Sequence, residues 1–340
     1  MQFSRTPLTA LLALIATALP AHHSPIIFDT NATVVIEGRI SRYDWTNPHS
    51  YIFVESVDDE GVTTEWQFET DSTNILARNG WTPDTLSPGQ LVTVRGNPDR
   101  NANRAHAMLI SLETTNGSLL TPTAGNNLAP EPQNRERSFE GIWEQQLENF
   151  VAFRAAGLNV VTTEAGTAAR DSYDVRTENP VARCVAYPSP MIVAVPQHLS
   201  EITIHEDHIS IHNEFFDVER VIYTDGRGHP DDSERINQGH SIGSWEDDVL
   251  VVETTLFSDH RSTLPGTGLP SGAQKRVVER YALSEDGARI DIDILYEDPE
   301  FLAEPFTGRL EWNLSPYEEI TPFRCEVDQA TRFMAEPPSP

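Results

Sequence analysis

The sequence predicts a mainly β protein in two units, an N-terminal five-stranded barrel followed by an antiparallel C-terminal barrel. Three observations predict it. Short runs alternate apolar and polar residues and are rich in β-branched and aromatic side chains, the pattern of half-buried strands. Between Thr121 and Arg137 a stretch rich in Pro, Asn, Ala and Glu has no hydrophobic period and reads as a linker. A chain of 340 residues has room for two domains of about 100–200 residues each.

The first residues are set apart from both units. Met1–Pro7 carries one positive charge, Arg5, and Leu8–Leu19 is an apolar run ending in Pro20-Ala21-His22-His23-Ser24. This is the layout of a secretory signal peptide over residues 1–21. Ala16-Thr17-Ala18 offers an earlier cut by the same small-x-small rule. The run is shorter than the roughly 20 residues a membrane span needs. The expectation is a periplasmic or secreted protein with no membrane insertion after the signal is removed.

In the first unit, Val34–Tyr43, Tyr51–Val57 and Thr63–Glu69 read as strands, the last two joined by the turn Asp58-Asp59-Glu60-Gly61. Asp71-Ser72 caps a short helix through Arg78, which Asn79-Gly80 ends. Gln90–Gly96 and Ala105–Leu112 supply two more strands. Five strands with a helix between the third and fourth is the order of an OB-type barrel.

In the second unit Glu164–Val175 reads as a helix. Paired strands follow at Glu201–His205 and His208–His212, then strands at Val249–Thr254, Arg276–Leu283, Arg289–Tyr296, Phe306–Leu314 and Glu318–Cys325. Successive hairpins favour an antiparallel barrel or sandwich. The expected boundaries are 22–115 for the first barrel, 116–137 for the linker, 138–327 for the second barrel and 328–340 for a tail.

Charge narrows the partners. There are 52 acidic against 24 basic residues, a formal charge of −28, and Lys275 is the only lysine. Such a field repels nucleic acid and anionic lipid. Cys184 and Cys325 are the only cysteines, and in an exported chain such a pair is expected to form a disulfide.

Ala21-His22-His23-Ser24 and Asp44-Trp45-Thr46-Asn47-Pro48-His49, with Asn79-Gly80-Trp81 and Pro88-Gly89, resemble an uncharacterised family of small secreted bacterial proteins. The resemblance implies export and a small β-barrel, and no activity. Gly141-Ile142-Trp143-Glu144, Arg183-Cys184, the run Tyr223–Pro230, the run Gly239–Glu246 and Val251–Thr255 resemble a second group of uncharacterised secreted proteins. Their Gly-x-Trp opening is similar to lipocalin-like barrels, which implies a ligand-holding β-barrel.

Four constellations are candidates for chemistry. His22 and the amine freed by a cut after Ala21, with His23 or His49, make a donor set suited to Cu(II). The alternative is a polar tail and an Asn-Pro turn. A two-residue turn at Glu206-Asp207 puts His205 and His208 side by side, either as metal donors or on a solvated face. Gly239-His240-Ser241-Ile242-Gly243 matches a nucleophile elbow, but that motif needs a strand-to-helix turn and the following residues read as a β-hairpin. Asp225, Arg227, His229, His240 and Glu253 are candidates for a polar site at a barrel mouth, where paired His and carboxylate groups can transfer protons. Arg227 and Trp245 are the candidate ligand contacts.

The leading expectation is an exported protein that binds a small apolar ligand in the second barrel, with copper held by the first. A hydrolase or isomerase at the barrel mouth and an envelope adaptor are the alternatives.

Overall fold

The structure, a computed structural model, describes residues 27–122, 137–231, 234–261, 263–264 and 266–331. Residues 1–26, which include the expected signal segment, His22 and His23, and residues 123–136 of the expected linker lie outside the described residues. Among the described residues no helix is long and apolar enough to cross a membrane.

The first barrel is built from β1 (Val34–Asp44), β2 (Tyr51–Val57), β3 (Thr63–Glu69), β4 (Leu91–Pro98) and β5 (His106–Thr114). Antiparallel pairs run β3-β2-β1-β4-β5, and a parallel pairing of Gln67–Glu69 with His106–Met108 closes the cylinder. That is the OB-type order. The helix α1 (Thr73–Arg78) lies between β3 and β4, capped by Ser72, whose hydroxyl accepts from the Ile75 amide. Inside pack Ile40, Ile52, Val54, Phe68, Leu76, Trp81, Val94 and Leu112. A short strand β6 (Leu119–Leu120) pairs with β5, so the start of the expected linker is held to the barrel.

The second barrel closes nine strands: β7 (Gly141–Gln145), β8 (Leu199–Ile204), β9 (His208–Asn213), β10 (Val218–Tyr223), β11 (His240–Glu246), β12 (Val249–Thr255), β13 (Arg276–Leu283), β14 (Arg289–Glu297) and β15 (Phe306–Leu314). All neighbours are antiparallel except β10 and β11, which pair in parallel with Ile222 opposite Ser241 and Tyr223 opposite Ile242. The β8–β9 hairpin takes the register its two-residue turn dictates, Glu201 opposite His212 and Thr203 opposite Ser210.

Strands β6, β7 and β10 add to those expected, and other elements differ from expectation. A helix α2 (Leu147–Leu158) follows β7 and lays Phe153 edge-on against Phe306 of β15. The expected helix is shorter, α3 (Glu164–Ser172), with α4 (Val175–Glu178) after it. Glu318–Cys325 is not a strand; apart from an isolated bridge at Cys325, it is irregular chain that runs against the first barrel. The disulfide Cys184–Cys325 ties this chain to the segment before β8, spanning 141 residues of sequence.

That segment enters the second barrel. Pro188–Pro196 is buried along its whole length. The Trp312 indole donates to the Val193 carbonyl at 2.9 Å, and the Asn213 amide reaches the Ile192 carbonyl. The lumen is therefore filled by the chain's own residues, together with Trp143, Tyr281, Ile292 and Leu310.

Candidate functional site

The Trp45–His49 motif sits where the two barrels meet. After β1 the chain turns through a cis Asn47-Pro48 bond, with the Thr46 hydroxyl donating to the His49 carbonyl at 3.0 Å. Asn47 is buried. Its amide donates to Asn74 (3.1 Å) and to the Phe323 carbonyl, and its oxygen accepts from the Thr73 amide at 2.8 Å. Asn74 in turn donates to Glu214 (3.1 Å) and to the Thr321 carbonyl (2.8 Å). Glu214 also accepts from Arg78 and from the Leu199 amide. An Asn-Pro turn, readable as a local device, is thus also the hub of a buried network that crosses to the second barrel.

His49 turns inward from this hub. Its Nδ1 lies 3.0 Å from Glu69 Oε1. The other Glu69 oxygen lies 3.6 Å from Nε2 of His106, and His106 Nδ1 lies 3.2 Å from Asp99, with Arg104 beyond at 3.8 Å. The result is an alternating row of imidazoles and carboxylates. Burial works to lower the His106 pKa, but the hydrogen bonds to Asp99 and Glu69 outweigh it and hold the value above that of a free histidine. His49 and Glu69 open on a narrow cavity of about 50 Å³, lined otherwise by Ile27, Pro48, Asn179, Val181, Ala182, Tyr187, Phe215 and Ala330. Both barrels contribute walls. The cavity lies beside the β9–β10 turn, at one end of the second barrel.

The residues expected at a barrel mouth do assemble, but on the outer wall. Buried Ser241, Val252 and Thr254 point inward, so His240 on β11 and Glu253 on β12 point outward. His229 Nδ1 lies 2.9 Å from His240 Nδ1, and His229 Nε2 lies 3.4 Å from Glu253. Glu253 is held by Arg276, which also pairs with Glu297 at 2.8 Å. Asp225 and Arg227 pair with each other, which drives the Asp225 carboxyl down to about 2. Arg227 lies over the Tyr223 ring at 4.0 Å, and Tyr223 stacks on His240. Burial, with the neighbouring His229 and Arg227, lowers the His240 pKa. Trp245, at the far end of β11, is half exposed and edge-on to Phe139, away from Arg227. Ser241 lies mid-sheet with its hydroxyl 2.8 Å from Thr254, so the sharp turn that a nucleophile elbow needs is missing. His205 and His208 stack face to face at 4.2 Å on their hairpin.

A polar group inside the second barrel has no counterpart in the sequence reading. Arg220 and Glu279 form a buried ion pair at 2.9 Å. Glu279 also accepts from Tyr281 (3.1 Å) and from the hydroxyl of Ser189 on the inserted segment. Lys275 is likewise buried, 3.2 Å from the Ser271 hydroxyl and 3.9 Å above the Phe257 ring. Burial pushes its amine down to about 7 and pushes neighbouring His260 to about 4. Asp298, whose carboxyl is raised by burial, accepts from the Gly272 amide at 2.8 Å. Strand parity was the available signal: Glu279 shares the face of Val277 and Tyr281, and Arg220 that of Val218 and Ile222.

Among the described residues no group of three or more His, Cys, Asp or Glu side chains is arranged to hold a metal ion. The chain matches no curated protein. Among solved structures it is similar to a mutant of the fluorescent protein UnaG, at 10% identity and a TM-score of 0.26, over 53% of this chain and 97% of that one. Residues 10–108, which carry the His-His-Ser and Trp-Thr-Asn-Pro-His motifs, match a family of unknown function (DUF6152).

Proposed function

We propose that the protein is an exported binding protein that holds a small ligand with an apolar body at the mouth of the second barrel. The observation that carries this reading is the cavity between the barrels. Its apolar walls are Ile27, Pro48, Val181, Ala182, Phe215, Ala330 and the Tyr187 ring, and its polar groups are few: His49 and Glu69 from the first barrel and Asn179 from the second unit. An apolar pocket with few convergent polar groups is the usual form of a small-molecule site. The lumen is the less suitable place, because the Pro188–Pro196 segment fills it. Room of about 50 Å³ sets the scale: a ligand of a few heavy atoms, or one end of a longer molecule. The His229–His240 group is not read as catalytic, since Glu253 is already held by Arg276 on the outer wall.

The test is thermal stabilisation by small apolar probes, benzene and short-chain alcohols, since a ligand bound only by the folded state raises its melting temperature. A saturable rise is expected in the native chain and its loss in Ala182→Phe, with Val181→Met as a milder filling variant. The absence of a saturable rise, or an equal rise in both filled variants, overturns the reading.

A further inference from the structure

We propose that the ligand of this cavity is a neutral alcohol, whose hydroxyl donates to the Glu69 carboxylate while its carbon chain lies along the apolar walls. The proposal rests on the cavity being a ligand site and adds what the head group must be. Glu69 is a buried carboxylate on the cavity wall. It ends β3, where the parallel pairing with β5 sets it opposite Met108 and brings His106 to its side. His49 Nδ1 lies 3.0 Å from Oε1, and His106 Nε2 lies 3.6 Å from Oε2, so an imidazole stands at each oxygen. A carboxylate has about four acceptor positions, so it can take a further donor without giving up either imidazole. The carboxylate is set in place before a ligand arrives, which removes an ordering cost from binding.

Charge selects the head group. Glu69 and Asp99 already have their countercharges in His106 and Arg104. Burial works against a charged His106, yet its hydrogen bonds to Asp99 and Glu69 hold it above the ordinary histidine value. An ammonium head would add a positive charge to a balanced row, and a carboxylate head would set a negative charge against Glu69. Either leaves an uncompensated charge in a largely apolar cavity, which costs far more than burying a hydroxyl that is hydrogen-bonded. A hydroxyl supplies the proton donor that a carboxylate can use, and brings no charge.

The rest of the cavity suits the carbon chain. Asn179 does not compete for the head group, because its side-chain oxygen accepts from the Val181 amide at 3.2 Å. Val181, Ala182 and the Tyr187 ring, which stacks on Phe215 with centroids 5.4 Å apart, offer only apolar surface to a ligand. Room of about 50 Å³ admits an unbranched chain, hydroxyl end first.

Four probes of similar chain length test the head group: 1-butanol, methyl propyl ether, n-butylammonium and butyrate. The ether has the alcohol's size and can accept a hydrogen bond but donates none. Saturable shifts in the protein's NMR spectrum at pH 6, below the ordinary histidine value of 6.5, give each affinity. 1-Butanol is expected to bind at least ~10-fold tighter than the ether, the size of a hydrogen bond to a charged group, and tighter than either ion. The alcohol's advantage over the ether should vanish in Glu69→Gln. Circular dichroism checks that this variant folds; if it does not, the four probes on the native chain decide. Equal affinity for alcohol and ether, abolished by Ala182→Phe, overturns the head group and leaves the cavity a ligand site. Tighter binding of n-butylammonium or butyrate than of 1-butanol, or an advantage that persists in Glu69→Gln, overturns the head group as well. No saturable shift with any of the four overturns both the head group and the cavity as a ligand site.

Discussion

Arg78 of the first barrel grips Glu214 of the second with both guanidinium nitrogens, at 2.8 and 2.9 Å, and the carboxylate is fully buried. Asn74, the Thr321 hydroxyl and the Leu199 amide also donate to the carboxylate. Removing one member of a buried pair leaves the other uncompensated, at a cost of about 3–5 kcal/mol. Glu214→Met is therefore expected to lower stability in urea by that order. The double variant Arg78→Met/Glu214→Met should lose less than Glu214→Met alone. Equal losses would mean that the pair does not couple the barrels.

Inside the second barrel the same logic applies to Arg220 and Glu279, but with an added reporter. Glu279 accepts from Ser189 of the inserted segment. Glu279→Gln is expected to destabilise by about 3–5 kcal/mol and to speed amide exchange in Pro188–Pro196. Unchanged exchange there would show that the segment is held by its apolar contacts alone.

Lys275 sets a pH dependence. Its amine falls from 10.5 unfolded to about 7 folded. The unfolded chain binds the extra proton between those values, so this group's contribution rises with pH from about 7 to 10.5. Below that window the folded state carries a buried ammonium at full cost, on the order of 5 kcal/mol at most. Lys275→Met is expected to stabilise the protein at pH 6 and to lose that advantage progressively by pH 10. Urea titrations at the two values check this, and an advantage independent of pH would overturn it.

The disulfide closes a loop of 141 residues, for which chain entropy predicts roughly 4–5 kcal/mol and removal of native bridges typically costs about 2–5. Cys325 adjoins Thr321 and Phe323, which bond to the Asn47–Asn74 hub. Cys184→Ser/Cys325→Ser should therefore raise protease sensitivity at 315–325 before it affects the strands. Cleavage that begins inside β13 or β14 instead would place the bridge's influence elsewhere.

Much of the first barrel was legible because its strands are half-buried and its helix carries a Ser cap and an Asn-Gly stop. The β8–β9 register followed from a two-residue turn. Helix α2 was missed because Val151, Ala155 and Ala156 face outward while Phe150 and Phe153 face inward, leaving little contrast between its sides. Strand β10 was obscured by a charged residue on its inner face, Arg220. Two charges stand side by side in Glu219-Arg220 and again in Glu279-Arg280. In each pair one points out and one in, and the inward one is the member in step with the buried residues of its own strand, Val218 and Ile222 for Arg220, Val277 and Tyr281 for Glu279. The histidine and carboxylate candidates of the second unit did come together, but sequence could not say on which side of the wall.

A single buried lysine has a practical consequence. Beyond the terminal amine, an amine-directed reagent has one target in this chain, and that target is sealed inside a barrel. Acylation of Lys275 must wait for the barrel to part, so its rate is a clock for a motion that leaves the average structure unchanged.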